Sequence, residues 1–354
     1  MRRWVIVGFL CLAVLTVSVR ASVLPEELTG ELPSQLQEAA DSGDWQDGIL
    51  SLWDSVRDSL GQWVRHGLSG VAGMMAVLLL CGIGEPLLET APGGKGLPYL
   101  TMAGAAAVVS LTAGELDQLI GLGSETILEL DQFSKVLLPT LATATASAGL
   151  VGTAAAKQVA TVFFCDILIT VIQRLLLPFL YLYIGAAAAG AMLGDGRLES
   201  IAKAIKAGVS WCLKGMLTLF TLYLSVAGVI SGAADAAAVK VTKTAISSAV
   251  PVAGSVLAGA AETMLAGAGA VKNTIGIFGV LAIAAICLPP FLRLAVQYLL
   301  YKLAAFAAST VASPALVKLI DSLGSAFGLV LGMAGSCGLL LAISVLSSIL
   351  AVSV

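Results

Sequence analysis

The chain has 354 residues, of which 58% are hydrophobic and only 12% charged, and its formal net charge is −3. Soluble globular chains carry about 25% charged residues, so this composition cannot cover the surface of a soluble fold of the same length. It excludes a cytosolic enzyme, a nucleic-acid binder and a disordered chain, and a mean hydropathy of +0.98 agrees.

The amino terminus reads as a targeting segment. Arg2 and Arg3 precede an apolar run from Val5 to Val19, and Val19-Arg20-Ala21 supplies small residues for cleavage. Residues 1–21 therefore read as a secretory signal peptide, with an uncleaved anchor as the alternative because Arg20 follows the run directly. Residues 22–66 hold nine acids against Arg57 and Arg65, a net charge of −7. That excess suits an external segment, since basic residues favour the cytoplasmic side. Within it Trp45, Ile49, Leu52, Val56, Leu60 and Trp63 recur at helical spacing. The spacing predicts an amphipathic helix lying on the outer membrane face or packed on the rest of the protein.

Residues 67–235 read as transmembrane helices. Gly67–Gly84 is the first span, and Leu97–Ala113 returns outward. Glu115, Asp117, Glu125, Glu129 and Asp131 then suggest an external segment, and Val136–Ala156 returns with Lys157 at its inner end. Residues 158–194 read as a hairpin bent near Arg174 and Pro178. Arg197, Lys203 and Lys206 mark an inner loop, and a further span runs from about Val209 to Ala234. Residues 236–273 are rich in small residues and broken at Pro251-Val252-Ala253-Gly254. They predict two weakly amphipathic helices, lying in the interface, re-entering the bilayer, or packed outside it. Residues 274–354 complete the transmembrane part: Thr274–Leu288 closed by Pro289-Pro290, Leu294–Ala312, and an apolar stretch of 32 residues from Leu323 to Val354. This last stretch is too long for one upright span, so it must tilt, break near Gly335–Gly338, or form two helices. Its Gly324, Gly328 and Gly332 form a small-residue ridge for internal packing or an oligomer seam. The expected fold is all-α: a polytopic helical membrane protein with a cleavable signal peptide and a short acidic external amphipathic segment.

Little in the sequence supports catalysis. Cys11, Cys81, Cys165, Cys212, Cys287 and Cys337 are dispersed through apolar runs, which argues against a disulfide framework or a metal site. Gly67-Leu68-Ser69-Gly70 and Gly208-Val209-Ser210-Trp211 match a short intramembrane serine-protease pattern. The lone histidine, His66, lies beside the first and outside its apolar run, so no base is placed on another span. No nucleotide motif is present, and no cofactor is expected. Asp166, Lys214 and Lys302 are charges within apolar runs. They form a candidate polar path, with Asp166–Lys214 or Asp166–Lys302 as its ion pair, or the lysines snorkel to span ends. Lys272 and Asn273, the chain's one asparagine, stand at a span entry as a helix cap or a polar gate.

One stretch resembles a known family. Lys243-Thr244-Ala245-Ile246-Ser247-Ser248-Ala249-Val250-Pro251-Val252-Ala253-Gly254 leads to Ala261-Glu262-Thr263. Val271-Lys272-Asn273-Thr274-Ile275-Gly276 and Tyr301-Lys302-Leu303-Ala304-Ala305 follow. With the signal-peptide start and multi-span body, these are similar to the stage III sporulation protein AE family of endospore-forming bacteria. The resemblance implies a multi-pass protein of the mother-cell membrane around the forespore. It implies a secretion-like channel complex with other stage III membrane proteins and a cytosolic secretion-type ATPase as partners, needed after engulfment. Pro251, Gly254, Glu262, Lys272 and Asn273 would then form a hairpin and gate. The expected partners also include the lipid bilayer and a second copy of the chain, with no nucleic acid. The alternative is a stand-alone secondary transporter or permease, for which two similar halves would be expected; no convincing internal repeat is visible.

Overall fold

The computed structural model describes residues 45–89, 97–194, 196–249 and 254–350. The signal-peptide reading, most of the acidic segment and Pro251 lie outside the described residues. Seven α-helices account for nearly all of the rest: α1 Trp45–Glu89, α2 Leu97–Ser147, α3 Val151–Val171, α4 Leu177–Leu193, α5 Gly196–Ala249, α6 Gly254–Ala308 and α7 Pro314–Ile349. A π-helical turn, Ile172–Leu176, joins α3 to α4 without a break. No strand occurs among the described residues.

Helix is what an apolar environment demands of such a sequence. Backbone polar groups must be satisfied within the segment, and hydroxyl side chains do best by bonding their own helix. Thr112, Thr126, Thr145 and Thr161 each donate to the carbonyl four residues back. The helices therefore run longer than the charge pattern predicts. The amphipathic stretch beginning at Trp45 is continuous with the first span in α1. The acids from Glu115 to Asp131 do not form a separate segment; they belong to α2, a single helix of 51 residues. At 1.5 Å per residue α2, α5 and α6 reach ~77–83 Å, against ~40–45 Å for a bilayer with its headgroups.

Two expected turns are absent. The first is the hairpin at residues 158–194. Proline lacks an N–H and clashes with the carbonyl four residues back, and for Pro178 that carbonyl belongs to Arg174. The π turn widens the helix there, and Pro178 enters α4 at its first positions. The buried stripe Leu168, Ile172, Leu176, Leu180 advances in fours across this turn and stays on one face. The second is the turn at Pro289-Pro290, which instead lie inside the 55-residue α6. Cys287 and Phe291, on either side of the pair, rest against Gly338 and Gly335 of α7, so packing holds the helix through the prolines. A Cβ at those glycines would come within 2.7 Å and 3.3 Å of these side chains.

The genuine turns carry glycine signatures. Gly149 has φ 85°, its N–H bonds Ala146 and the next N–H bonds Thr145, a Schellman closure of α2 that requires a left-handed residue. Gly194, φ 65°, closes α4 in the same conformation.

The bundle is organised on α7, the most buried of its long helices, which runs unbroken through Gly335 and Gly338. It lies antiparallel to α6 in strict register: Gly324 on Tyr301, Gly328 on Tyr298, Gly335 on Phe291, Gly338 on Cys287, and Gly276 of α6 on Ile349. The spacing alternates like a heptad seam, so Gly332 falls off it and faces Leu213 of α5 instead. Direction alternates along the chain. One end of the bundle gathers the end of α1, the start of α2, the end of α4, the start of α5, the end of α6 and the start of α7. The opposite end holds the start of α3 and the end of α7.

Candidate functional site

The residues singled out from sequence disperse. Asp166 is exposed on α3 and Lys214 exposed on α5. Lys302 does not pair with Asp166. Its ammonium lies 2.5 Å from Asp321 of α7, because the α6–α7 register brings the start of one helix beside the end of the other. Gly254 opens α6, and the side chain of Glu262 lies outside the described residues. Asn273 is exposed and deep within α6, so it caps no helix. Lys272 is buried and donates to the carbonyl of Ile349 at 3.3 Å. Lys157 lies at the end of the bundle opposite Lys203 and Lys206, so the two groups cannot both mark the inner side. It too is buried and donates to the last turn of α7, at Ser347.

At the end of the bundle where α4, α5, α6 and α7 meet, the fold forms a partly open cavity of about 950 Å³. Its wall contains Lys203 and Lys206 from α5, Lys302 from α6 and Lys318 from α7, against two acids, Glu199 and Asp321. Glu199 serves both Lys203, at 2.7 Å, and Lys318, at 2.9 Å. Lys206 and Lys302 converge on one atom, the Oγ of buried Ser325, each at 2.9 Å. That hydroxyl donates to the Asp321 carbonyl and so uses its one proton and both lone pairs. Two ammonium groups are thereby held on either side of one hydroxyl, and the carboxylate of Asp321 pairs with one of them, Lys302. Among the described residues, four lysines stand against two acids on this wall.

A second polar cluster lies within the bundle. Glu115 of α2 accepts from Gln297 at 2.5 Å and from the hydroxyl of Tyr301 at 3.0 Å, both on α6. Gln297 and Tyr301 are fully packed, and Tyr301 also meets Phe327 edge-on, with ring centroids 5.0 Å apart. Gly67 and Gly70 let α1 close over this cluster. A Cβ on Gly67 would meet Gln297 Oε1 at 2.6 Å, and one on Gly70 would meet Glu115 at 3.4 Å. The Gly-x-Ser-x motif here is thus a packing device, and its Ser69 hydroxyl bonds the backbone carbonyl of His66.

Sequence reasoning missed both groupings. Glu115 reads as an acid of an external segment, and Lys203 and Lys206 as loop charges. Two signals were available: Gln297, a lone amide in an apolar run, and Ser313-Pro314, a helix-start pair.

Among the described residues, six helices are long and apolar enough to cross a membrane, with α3, the π turn and α4 counting as one. Together with the buried polar contacts between them, they define a multi-pass helical membrane protein. The chain belongs to the stage III sporulation protein AE family, whose sequence profile matches residues 35–352. It is 25% identical over 186 residues to stage III sporulation protein AE of Bacillus subtilis (strain 168); the alignment covers 52% of this chain and 47% of that protein, about half its length. No solved structure matches.

Proposed function

We propose that the chain is the polytopic membrane subunit of a channel complex between mother cell and forespore, needed for endospore development after engulfment. It resides in the mother-cell membrane around the forespore, with other stage III membrane proteins and a cytosolic secretion-type ATPase as partners. The observation that carries this reading is the family match across residues 35–352. A six-helix bundle with polar groups between its helices is the architecture such a subunit needs. The positive-inside tendency supports an orientation in which the cavity end, with Arg197, Lys203 and Lys206, faces the mother-cell cytoplasm. That is also the side on which an ATPase would act.

The test is deletion of the gene in its native host, followed by microscopy with a late forespore-specific reporter. The expected result is arrest after engulfment with a silent reporter and a shrinking forespore. Normal spores would overturn the channel role and leave a stand-alone transporter to pursue.

A further inference from the structure

We infer that this chain assembles head to tail with further copies of itself, the exposed polar face of α2 on one copy docking on the exposed polar face of α5 on the next. This seam goes beyond the channel role and requires only that the bundle sit in a membrane.

The first observation is polarity where lipid does not accept it. Gln118, Glu125, Glu129 and Gln132 are exposed on α2, and their intervals of seven, four and three residues keep them on one face of the helix. Glu125 stands about 200° round the helix from Gly123, which is seated on Val330 of α7, so this face turns away from the bundle. On α5, Ala207, Lys214, Thr218 and Thr221 repeat the same three intervals and are exposed too. Both stretches belong to helices that are apolar and long enough to cross a membrane. Among the described residues, Glu125, Glu129 and Lys214 form no hydrogen bond or ion pair within the chain. Charged groups at membrane depth are stable against an opposite charge or water, not against hydrocarbon.

The second is register. α2, α5 and α7 all run from the cavity end to the opposite end. Gly123 of α2 sits on Val330, and Leu213 of α5 faces Gly332, two residues further along α7. Glu125 is likewise two residues beyond Gly123, so it lies level with Gly332, and therefore with Leu213 and Lys214. Because the intervals are identical, Gln118 lies level with Ala207, Glu129 with Thr218 and Gln132 with Thr221. Copies in one membrane share depth and orientation. The acid of one copy thus meets the lysine of the next with no shift along the helices.

The third is placement. Two residues on a helix point about 200° apart, so Val330 and Gly332 place α2 and α5 on opposite sides of α7. Glu125 and Lys214 therefore cannot pair within one copy, and a contact that uses both faces is heterologous and repeats from copy to copy. Gly121, between Gln118 and Glu125, has nothing of its own chain within 4 Å of a Cβ, which leaves room for a neighbouring helix to approach closely.

The test co-expresses two differently tagged copies of the full chain and measures how much of one co-purifies with the other in neutral detergent. Wild-type copies are expected to co-purify. Glu125→Lys in both copies should reduce this about tenfold, since it sets like charges against each other. Pairing a Glu125→Lys copy with a Lys214→Glu copy should restore it, because an alternating assembly again matches acid with lysine at each seam. A two-fold contact of α2 with α2 would instead leave Glu125→Lys without loss and overturn the head-to-tail seam. Gly121→Phe keeps the test decisive should a charge variant fail to fold: its ring has open space within the chain but fills the seam, and co-purification should be lost. Wild-type copies that do not co-purify, Gly121→Phe copies that do so undiminished, or a mixed charge pair that shows no recovery would each overturn the inference.

Discussion

The two ends of α7 hold lysines on opposite terms. At its carboxyl end, Lys157 and Lys272 are each buried and each donates to a last-turn carbonyl, Ser347 and Ile349. A cation at a helix carboxyl terminus meets the negative end of the dipole and satisfies carbonyls that have no helical partner. Those two lysines complete a helix. In the amino-terminal half, Lys206 and Lys302 share the hydroxyl of Ser325 and Lys318 pairs with Glu199, all on the wall of an open space. The same residue type caps structure at one end and lines a cavity at the other. What separates the cases is what each ammonium touches, not how apolar its sequence neighbourhood is.

The largest way to break this comparison is to reverse a charge at each end. Lys157→Glu places a carboxylate against the carbonyls of α7, and a buried uncompensated charge costs about 3–5 kcal/mol. The expected outcome is loss of folded, monodisperse protein in size-exclusion chromatography. Lys206→Glu, on the partly open cavity wall, should leave folded protein in the same measurement. Equal damage from both would erase the distinction.

The seam between α6 and α7 gives the next effect. Gly338→Leu overfills the contact with Cys287, and overpacking of this kind costs about 1–3 kcal/mol. Gly332→Ala should be near neutral, because its Cβ would stand at an ordinary 3.7 Å from Leu213. Thermal unfolding in detergent reads both. A third test concerns the cluster on α2. Glu115→Leu leaves the amide of Gln297 and the hydroxyl of Tyr301 buried without their acceptor, which costs about 1–3 kcal/mol. Adding Gln297→Leu should recover part of that loss, and an additive double variant would show that the groups are not coupled. The smallest effect is Ser313→Ala, expected within about 0.5 kcal/mol of wild type, since the hydroxyl has no bond to lose.

The sequence announces the apolar helices and hides their continuity. Hydropathy locates every apolar run, but charges and prolines are misleading punctuation inside a bundle. Glu115 looks like a loop acid because the donors to its carboxylate, Gln297 and Tyr301, lie far along the chain. Pro289-Pro290 looks like a turn because the glycines that seat their neighbours are on another helix. Lys157 looks like an inner boundary because a positive charge near a span end usually is one. The ridge of Gly324, Gly328 and Gly332 is visible, yet only the antiparallel register shows that the third glycine leaves the seam. The cavity has no local signature, because its lysines come from three helices. Asn273 reads as a cap only while the helix is expected to begin there.

The π turn at Ile172–Leu176 holds one residue more than a regular helix would need, the equivalent of one inserted codon. A single-codon deletion at Leu175, which is exposed, would let the helix heal into an uninterrupted α form with everything beyond still in phase. Leu180 would stay in the core, and Tyr183 would keep the Ser322 carbonyl that its hydroxyl now reaches at 2.9 Å. The same deletion at Leu182, exposed and beyond the turn, removes no surplus residue, so everything after it would rotate by about 100°. Ala187 and Ala191 would then swing out of the cavity wall they help to form. The reading frame of side chains along this helix thus sets the shape of a chamber at its end.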